Sequence, residues 1–306
     1  MFKNAIIFRA AGLLNIAELV SGTMARTFVS CGPTQVKSFG FVAPRGGAND
    51  KLVESVGGQL ILTIQTQTKS VPAAEVKKLL DAALDAAEKE TGRRPKGKRA
   101  KELKEGAILQ LLPKAFPKDR KNTIWIDPQA GLVVVDASSI TQADEAITRL
   151  AEVCPGVRFS LVSTKTSPAS AMATWLTELS DHDLTPPGFS IDRECELKQP
   201  DGEKAAVRYS RHSLDSEQVA EHIKQGKLPT RLALTWSGRV SFVLTESLAL
   251  KKVDLLDAAL EGATKEEKTN AFDADVALHT GELRAMIADL IGILDGEVEP
   301  RKGDAE

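Results

Sequence analysis

Several absences narrow this chain before any motif is read. Tyrosine occurs once, and aromatic residues make up only 5% of the 306 residues. The core must therefore rely on Leu, Ile, Val and Ala. The three cysteines, Cys31, Cys154 and Cys195, include no Cys-x-x-Cys pair. Isolated thiols of this kind fit a reduced compartment and give no disulfide framework. No apolar run approaches the ~20 residues of a membrane span, so no membrane partner is expected. Arg9 interrupts the apolar opening stretch, which argues against a secretory leader and for a cytoplasmic location. The phosphate-cradling patterns GxxxxGK[ST] and GxGxxG are missing, as are HExxH and the Gly-x-Ser-x-Gly elbow. The four histidines (His182, His212, His222 and His279) are far apart in the chain. Asp181-His182-Asp183 has the look of a metal-site fragment, but one His between two carboxylates in a loop is more simply a surface turn. The expectation is no metal, no cofactor, and an enzyme only as the weaker hypothesis.

What is present is charge, unevenly spread. The net charge is −2, yet residues 1–150 carry 22 Lys+Arg against 15 Asp+Glu, and residues 151–306 carry 18 against 27. Within the basic half, Arg93 to Lys121 holds 11 basic and 3 acidic residues. A basic surface on an otherwise acidic body is a footprint for polyanions. It is also what a helical hairpin with a solvated basic tip would show. The run divides into Arg93, Arg94, Lys96, Lys98, Arg99 and Lys101, and then Lys114, Lys118, Arg120 and Lys121 around a single aromatic, Phe116. Pro113 and Pro117 flank that aromatic and bias it to an extended backbone. Two fates are open for its ring: packing under the following hairpin, or projection towards a partner. The segment leads into Thr123–Asp127, the turn Pro128-Gln-Ala-Gly131 and Leu132–Asp136. Asp127, Pro128 and Gly131 occupy the places a type I turn favours.

The pattern of elements is α+β, with mixed sheets, packed helices and a helical hairpin. Residues 2–9, 38–42 and 59–68 read as strands, and Asn15–Phe28 as a helix with Ile16, Leu19, Val20 and Met24 on one side. Pro72–Glu90 has the clearest helical periodicity, with Val76, Leu79, Leu80, Ala83, Leu84 and Ala87 on one face and Gly92 just past its end. A second helix over 98–112 completes the hairpin. Ser139-x-x-Gln142 is a capping box for a helix that buries Ala143, Ala146, Ile147 and Leu150. Ser167-Pro168 opens another, with Met172, Trp175, Leu176 and Leu179 inside. Two halves are expected, 1–160 and 161–306. The second contains a strand 205–210, a helix 215–225, a hairpin from Arg231 to Thr245, a helix 248–260, a capping box at Thr264–Glu267 and an amphipathic last helix through Leu283–Leu294. A β-α-β-β-α order recurs in both halves and suggests an internal duplication. The tail from Asp295 is polar and expected to fray.

A wider set of fragments carries a resemblance. Phe2-Lys-Asn4, Cys31-Gly32, Ser38-Phe-Gly-Phe-Val-Ala-Pro44, Leu111-Leu-Pro-Lys-Ala-Phe-Pro-Lys118, Trp125-Ile-Asp-Pro128, Val135-Asp-Ala137, Trp175-Leu176 and Gly188-Phe189 appear in this order. They continue through His222-Ile-Lys-Gln-Gly-Lys227, Leu232-Ala-Leu-Thr-Trp236, Phe272-Asp-Ala-Asp275 and Thr280-Gly-Glu-Leu283. In that order they resemble the RdgC family of bacterial recombination-associated, nucleoid DNA-binding proteins. The resemblance implies an elongated α+β subunit forming a ring-shaped homodimer with a basic central hole. It further implies binding to double-stranded DNA, and possible engagement of single strands, with little sequence preference. No cofactor is implied, and the role is to restrain recombination driven by the RecA recombinase. Arg211 and Lys227 join the DNA-contact candidates on this basis. The chain departs from the family in two places: Asp295-Gly-Glu297 is the nearest trace of a Gly-Gly-Glu ending, and Ser210 and His212 flank Arg211 where a more basic or amide-bearing pair is expected. Two alternatives remain: a metal-dependent nuclease using Asp127 and Asp136, and an assembly protein that docks a recombinase through its basic run.

Overall fold

The computed structural model describes residues 1–47, 51–178, 188–200, 205–214, 217–260 and 271–298. The strands of the first part of the chain are β1 (Asn4–Gly12), β2 (Lys37–Val42), β3 (Val53–Val56), β4 (Gln59–Lys69), β5 (Pro117–Asp127), β6 (Leu132–Val135) and β7 (Val157–Leu161). Those that follow are β8 (Phe189–Lys198), β9 (Ala206–Ser210), β10 (Leu228–Trp236), β11 (Val240–Thr245) and β12 (Leu250–Leu255). The helices are α1 (Ile16–Ala25), α2 (Ala73–Thr91), α3 (Gly97–Leu111), α4 (Ile140–Ala151), α5 (Pro168–Thr177), α6 (Glu217–Lys224), α7 (Asp257–Leu260) and α8 (Ala271–Ile293). The protein is α+β, and the ladders between these strands are antiparallel. None of the described helices is long and apolar enough to cross a membrane.

Internal contacts distinguish two units, one of residues 1–19, 53–62 and 123–306, the other of residues 20–52 and 63–122. In the first, β1 is central. Ile6–Arg9 pair with Val135–Leu132 of β6, while Asn4 and Ala5 pair with Lys251 and Leu250 of β12. From β12 the sheet continues through β11, β10 and β8 to β9. Strands buried on both faces need near-continuous apolar runs, and β6 (Leu-Val-Val-Val) is buried at every position. Helix α8 supplies Leu283, Met286, Ile287 and Leu290, and α5 supplies Met172, Trp175 and Leu176, to the core of this unit. Trp236 at the end of β10 buries its ring and donates Nε1–H to Asp289 Oδ2 of α8 at 2.8 Å. That contact meets the rule that a buried indole N–H finds an acceptor.

The second unit pairs Lys37–Val42 of β2 with Thr68–Thr63 of β4 and carries the α2–α3 hairpin. Gly40 is required here by close approach. A Cβ at this position would lie 2.4 Å from Phe28 Cα, because the 26–28 segment crosses β2 and exchanges backbone hydrogen bonds with Phe41. Gly92 ends α2 in the left-handed conformation (φ 69°), with its N–H returning to Glu88 O.

The structure corrects several expectations. Residues 248–260 are not one helix: β12 and the short α7 stand there, so a strand follows the second hairpin where the proposed duplication needs a helix. The reason is a bulge. Ser241 pairs with Asp254 and Val243 with Lys251, so β12 carries one extra residue, and Lys252 takes a positive φ of 52°. The extra residue stretches the spacing of buried Leu250 and Val253 from two to three, which imitates a helix. Helix α1 buries Leu19 and Thr23 but leaves Ile16, Val20 and Met24 exposed. The apolar face of α2 is half-exposed, with only Val76 buried. The tail is held through 298 rather than frayed from 295. Arg9 Nε donates to Glu297 Oε1 at 2.9 Å, and Lys165 N donates to Gly296 O at 2.9 Å. Leu179, the Asp181–Asp183 fragment and the Thr264–Glu267 box lie outside the described residues.

Candidate nucleic-acid interface

Helix α3 organises the basic run. Pro72 precedes α2, and Gly92 and Gly97, both at positive φ, bracket the reversal into α3. At this tip Arg94 folds back on α2, its guanidinium 2.6 Å from Asp85, 3.3 Å from Glu88 and 4.0 Å from Asp81. The hydrogen bond to Asp85 raises its pKa above the ordinary value, and its three carboxylate partners tie Arg94 to the preceding helix. Arg99 pairs with Glu102 at 3.1 Å. Arg93, Lys96, Lys98 and Lys101 are exposed, and their side chains make no hydrogen bond or ion pair with the described residues. The first turn of α3 contains no acidic residue. Lys98 and Arg99 therefore add positive charge where the helix dipole is already positive. Such an arrangement lowers local stability unless an anion is nearby.

The other end of α3 runs into a 3-10 turn, Leu112–Lys114, anchored by fully buried Leu112. Ala115 is extended, and β5 begins at Pro117. The loop expected over 113–121 is thus a turn followed by a strand. Phe116 between them is 89% exposed, which removes packing under the hairpin as its fate. Alternation along β5 places Lys118 and Arg120 on one face and Asp119 and Lys121 on the other. Asp119, the one acidic residue here, accepts from Gln67 Nε2 at 2.8 Å, and Gln67 in turn accepts from Cys31 N at 2.7 Å. Arg120 Nε donates to buried Asn122 Oδ1 at 3.2 Å, which orients the guanidinium. Lys114, Lys118 and Lys121 are exposed at the surface.

The eleven basic residues are therefore not one patch. All but Lys104 gather towards the two ends of a 15-residue helix, roughly 22 Å apart at 1.5 Å per residue. Between them lies a feature that sequence reading missed. A cavity of about 480 Å³ is walled by Val36, Val76, Leu80, Ile108 and Leu112 and carries Lys69, Lys77 and Lys104 at its margin. Its only sequence signal is that lysines interrupt the apolar stripes of two successive helices. Arg211 and Lys227 belong to the other unit. Arg211 is exposed after β9 at φ 57°, beside the tilted rings of Tyr209 and His212, whose centroids are 5.8 Å apart. Lys227 Nζ lies 3.1 Å from His222 Nδ1.

The carboxylates considered for metal chemistry have structural partners. Asp127 is fully buried, and its Oδ1 accepts from Gln129 N and Ala130 N, both at 3.1 Å, closing the hairpin turn. Arg284 Nε sits 3.1 Å from Oδ2 as an ion pair, off line for a hydrogen bond. Asp136 Oδ1 accepts from Asn4 N at 2.9 Å and Asn4 Nδ2 at 3.2 Å. The two lie at opposite ends of β6, about 13 Å apart along the strand at ~3.3 Å per residue. Among the described residues no three His, Cys, Asp or Glu side chains are grouped to hold a metal ion.

Comparison with known proteins gives a consistent result. The family model described as "Putative exonuclease, RdgC" matches residues 1–297. A "Recombination-associated protein RdgC" of Janthinobacterium sp. (strain Marseille) is 38% identical over 304 residues, covering 98% of this chain and 99% of the relative. One of the same name from Cupriavidus pinatubonensis is 39% identical over 300 residues, covering 97% and 98%.

Proposed function

Since the chain belongs to the RdgC family, we propose that it serves recombination by binding DNA through phosphate contacts from the two ends of α3. In this reading two copies close into a ring around duplex DNA in the nucleoid and restrain strand exchange by the RecA recombinase. The observation that carries it is the exposure of Arg93, Lys96, Lys98 and Lys101 at one end of that helix and of Lys114, Lys118 and Lys121 at the other. A chain of net charge −2 is not drawn to DNA as a whole, so binding needs its basic residues on one surface. The ~22 Å spacing corresponds to about two thirds of a ~34 Å turn of duplex, so both ends can meet one backbone. Two-fold closure doubles each contact, and contacts to phosphates explain indifference to sequence.

The test is a mobility shift on random-sequence duplex at several salt concentrations, with and without magnesium. Six to ten phosphate contacts predict an affinity loss of ~10³–10⁵ between about 50 and 200 mM salt. Unrelated duplexes should compete about equally. A flat salt response sinks the electrostatic reading. The family model's description names an exonuclease; loss of substrate only with magnesium would turn the reading to that chemistry. Absence of any shift would favour direct docking on a recombinase.

A further inference from the structure

A second basic site stands in the other unit. The ends of β8, β10, β11 and β12 meet the N-terminus of α4 around a polar cavity of about 280 Å³. Lys198, Arg231 and Lys251 reach it from three different strands, with Thr230, Thr245, Ser247, Ser138 and Ser139 adding hydroxyls. The register explains the convergence. Arg231 pairs with Thr245, Leu244 with Leu250 and Leu228 with Lys198, so the cations come from the same end of neighbouring strands.

We propose that this cavity is a phosphate-binding site. Its three cations share one close carboxylate, Glu196. Lys198 is neutralised by Glu196 at 2.6 Å, and Lys251 Nζ donates only to the neutral carbonyl of Ala137 at 3.2 Å. Arg231 forms no hydrogen bond or ion pair within 4 Å among the described residues, and Glu196, its cross-strand partner, acts on it only through charge. Burial and Arg231 both push the Lys251 ammonium below its ordinary pKa, while Asp136 pulls the other way. Arg231 lies opposite Glu196 in the β8–β10 ladder and draws that carboxyl below its ordinary pKa, but Glu196 is already bonded to Lys198, so positive charge stays in excess and a doubly charged anion would relieve it. Glu246, the one carboxylate lining the cavity, is an exposed rim residue. The floor is built for an oxyanion as well. Ser139 caps α4 by accepting from Gln142 N at 3.3 Å, which leaves the first-turn N–H groups of Ile140 and Thr141 without helical partners. Hydroxyls, a guanidinium, an ammonium and free amides are the donor set that phosphate oxygens select. The site does not depend on the hairpin surface, and its test separates the two.

Inorganic phosphate is the probe, titrated calorimetrically into the intact protein at ionic strength held constant with chloride. The expected result is saturable binding that excess sulfate-free chloride does not mimic. Arg231→Gln, at an exposed position, should weaken it at least about tenfold, as loss of a charge-assisted contact implies. Ser247→Asp, which places a carboxylate in the cavity, should weaken it comparably. Lys118→Ala with Arg120→Ala should leave phosphate binding unchanged even where duplex binding falls. Short oligonucleotides identify the source of the phosphate. Competition by a 5′-phosphorylated strand alone means a terminal phosphate, competition by the 5′-hydroxyl strand as well means the backbone, and competition by neither means a free phosphate. No phosphate-specific heat, or undiminished binding in both cavity variants, overturns the proposal.

Discussion

Phe116 is an aromatic ring held out in solvent by the chain around it, with Leu112 anchored on one side and β5 starting on the other. Removing an exposed ring should change stability by no more than about 0.5 kcal/mol. Phe116→Ala is therefore expected to unfold at the wild-type temperature while weakening dimer closure or DNA affinity. A loss of the ~3–5 kcal/mol typical of a core Phe would show the ring to be packed instead. His279 makes an opposite case, of a group inside. Its Nε2 is 2.8 Å from the Met1 ammonium, and its Nδ1 is 3.0 Å from Asp275 Oδ1. Burial and then the Met1 charge lower its pKa below 6.5, against the upward pull of Asp275. The unfolded chain then takes up a proton more readily than the folded one as pH falls through 6.5. Stability should be level above that pH and decline below it. Thermal unfolding at about pH 7.5 and 5.5 checks this, with His279→Gln expected to flatten the dependence. An unchanged slope in that variant would assign the pH sensitivity to other groups.

At the scale of the element, α3 matters because its two ends act at a distance. Lys118→Ala with Arg120→Ala removes cations from one end, and Lys98→Ala with Lys101→Ala from the other. Each pair should weaken all duplexes alike and flatten the salt slope by about one unit per lost contact in each engaged subunit. Separated by roughly 22 Å, the two pairs should add. A pair that alters neither affinity nor slope removes its end from the interface. The same scale shows where sequence was readable. Helix α4 follows from Ser139, Gln142 and the spacing of Ala143, Ala146, Ile147 and Leu150, all four of which are buried. The β5–β6 turn follows from Asp127 and Gly131, because their roles are local. β12 was not readable, since its bulge changes the residue spacing and only the pairing with β11 reveals it. Nor was the division of the basic run. Charge counts along a chain do not tell that Arg94 turns back to Asp85 or that a helix separates the rest. The polar cavity was illegible for a further reason: Lys198, Arg231 and Lys251 become neighbours only through three strand pairings.

For the whole molecule, the ring reading makes a direct prediction. Light scattering should give twice the chain mass at micromolar concentration, and solution X-ray scattering should show an opening of duplex width. A monomer, or a solid outline, would count against closure around DNA while leaving the phosphate contacts intact. One feature of β1 bears on how such a molecule comes into being. Asn4 and Ala5 pair with Lys251 and Leu250, about 245 residues further along. At ~5–20 residues per second a ribosome needs roughly 12–50 s to deliver that partner strand. Throughout that interval Asn4 and Ala5 lack their partners, although β6 and then β7 have joined the rest of β1. Until β12 emerges, the nascent protein thus keeps a short unpaired stretch of β1, the kind of strand edge a chaperone shields.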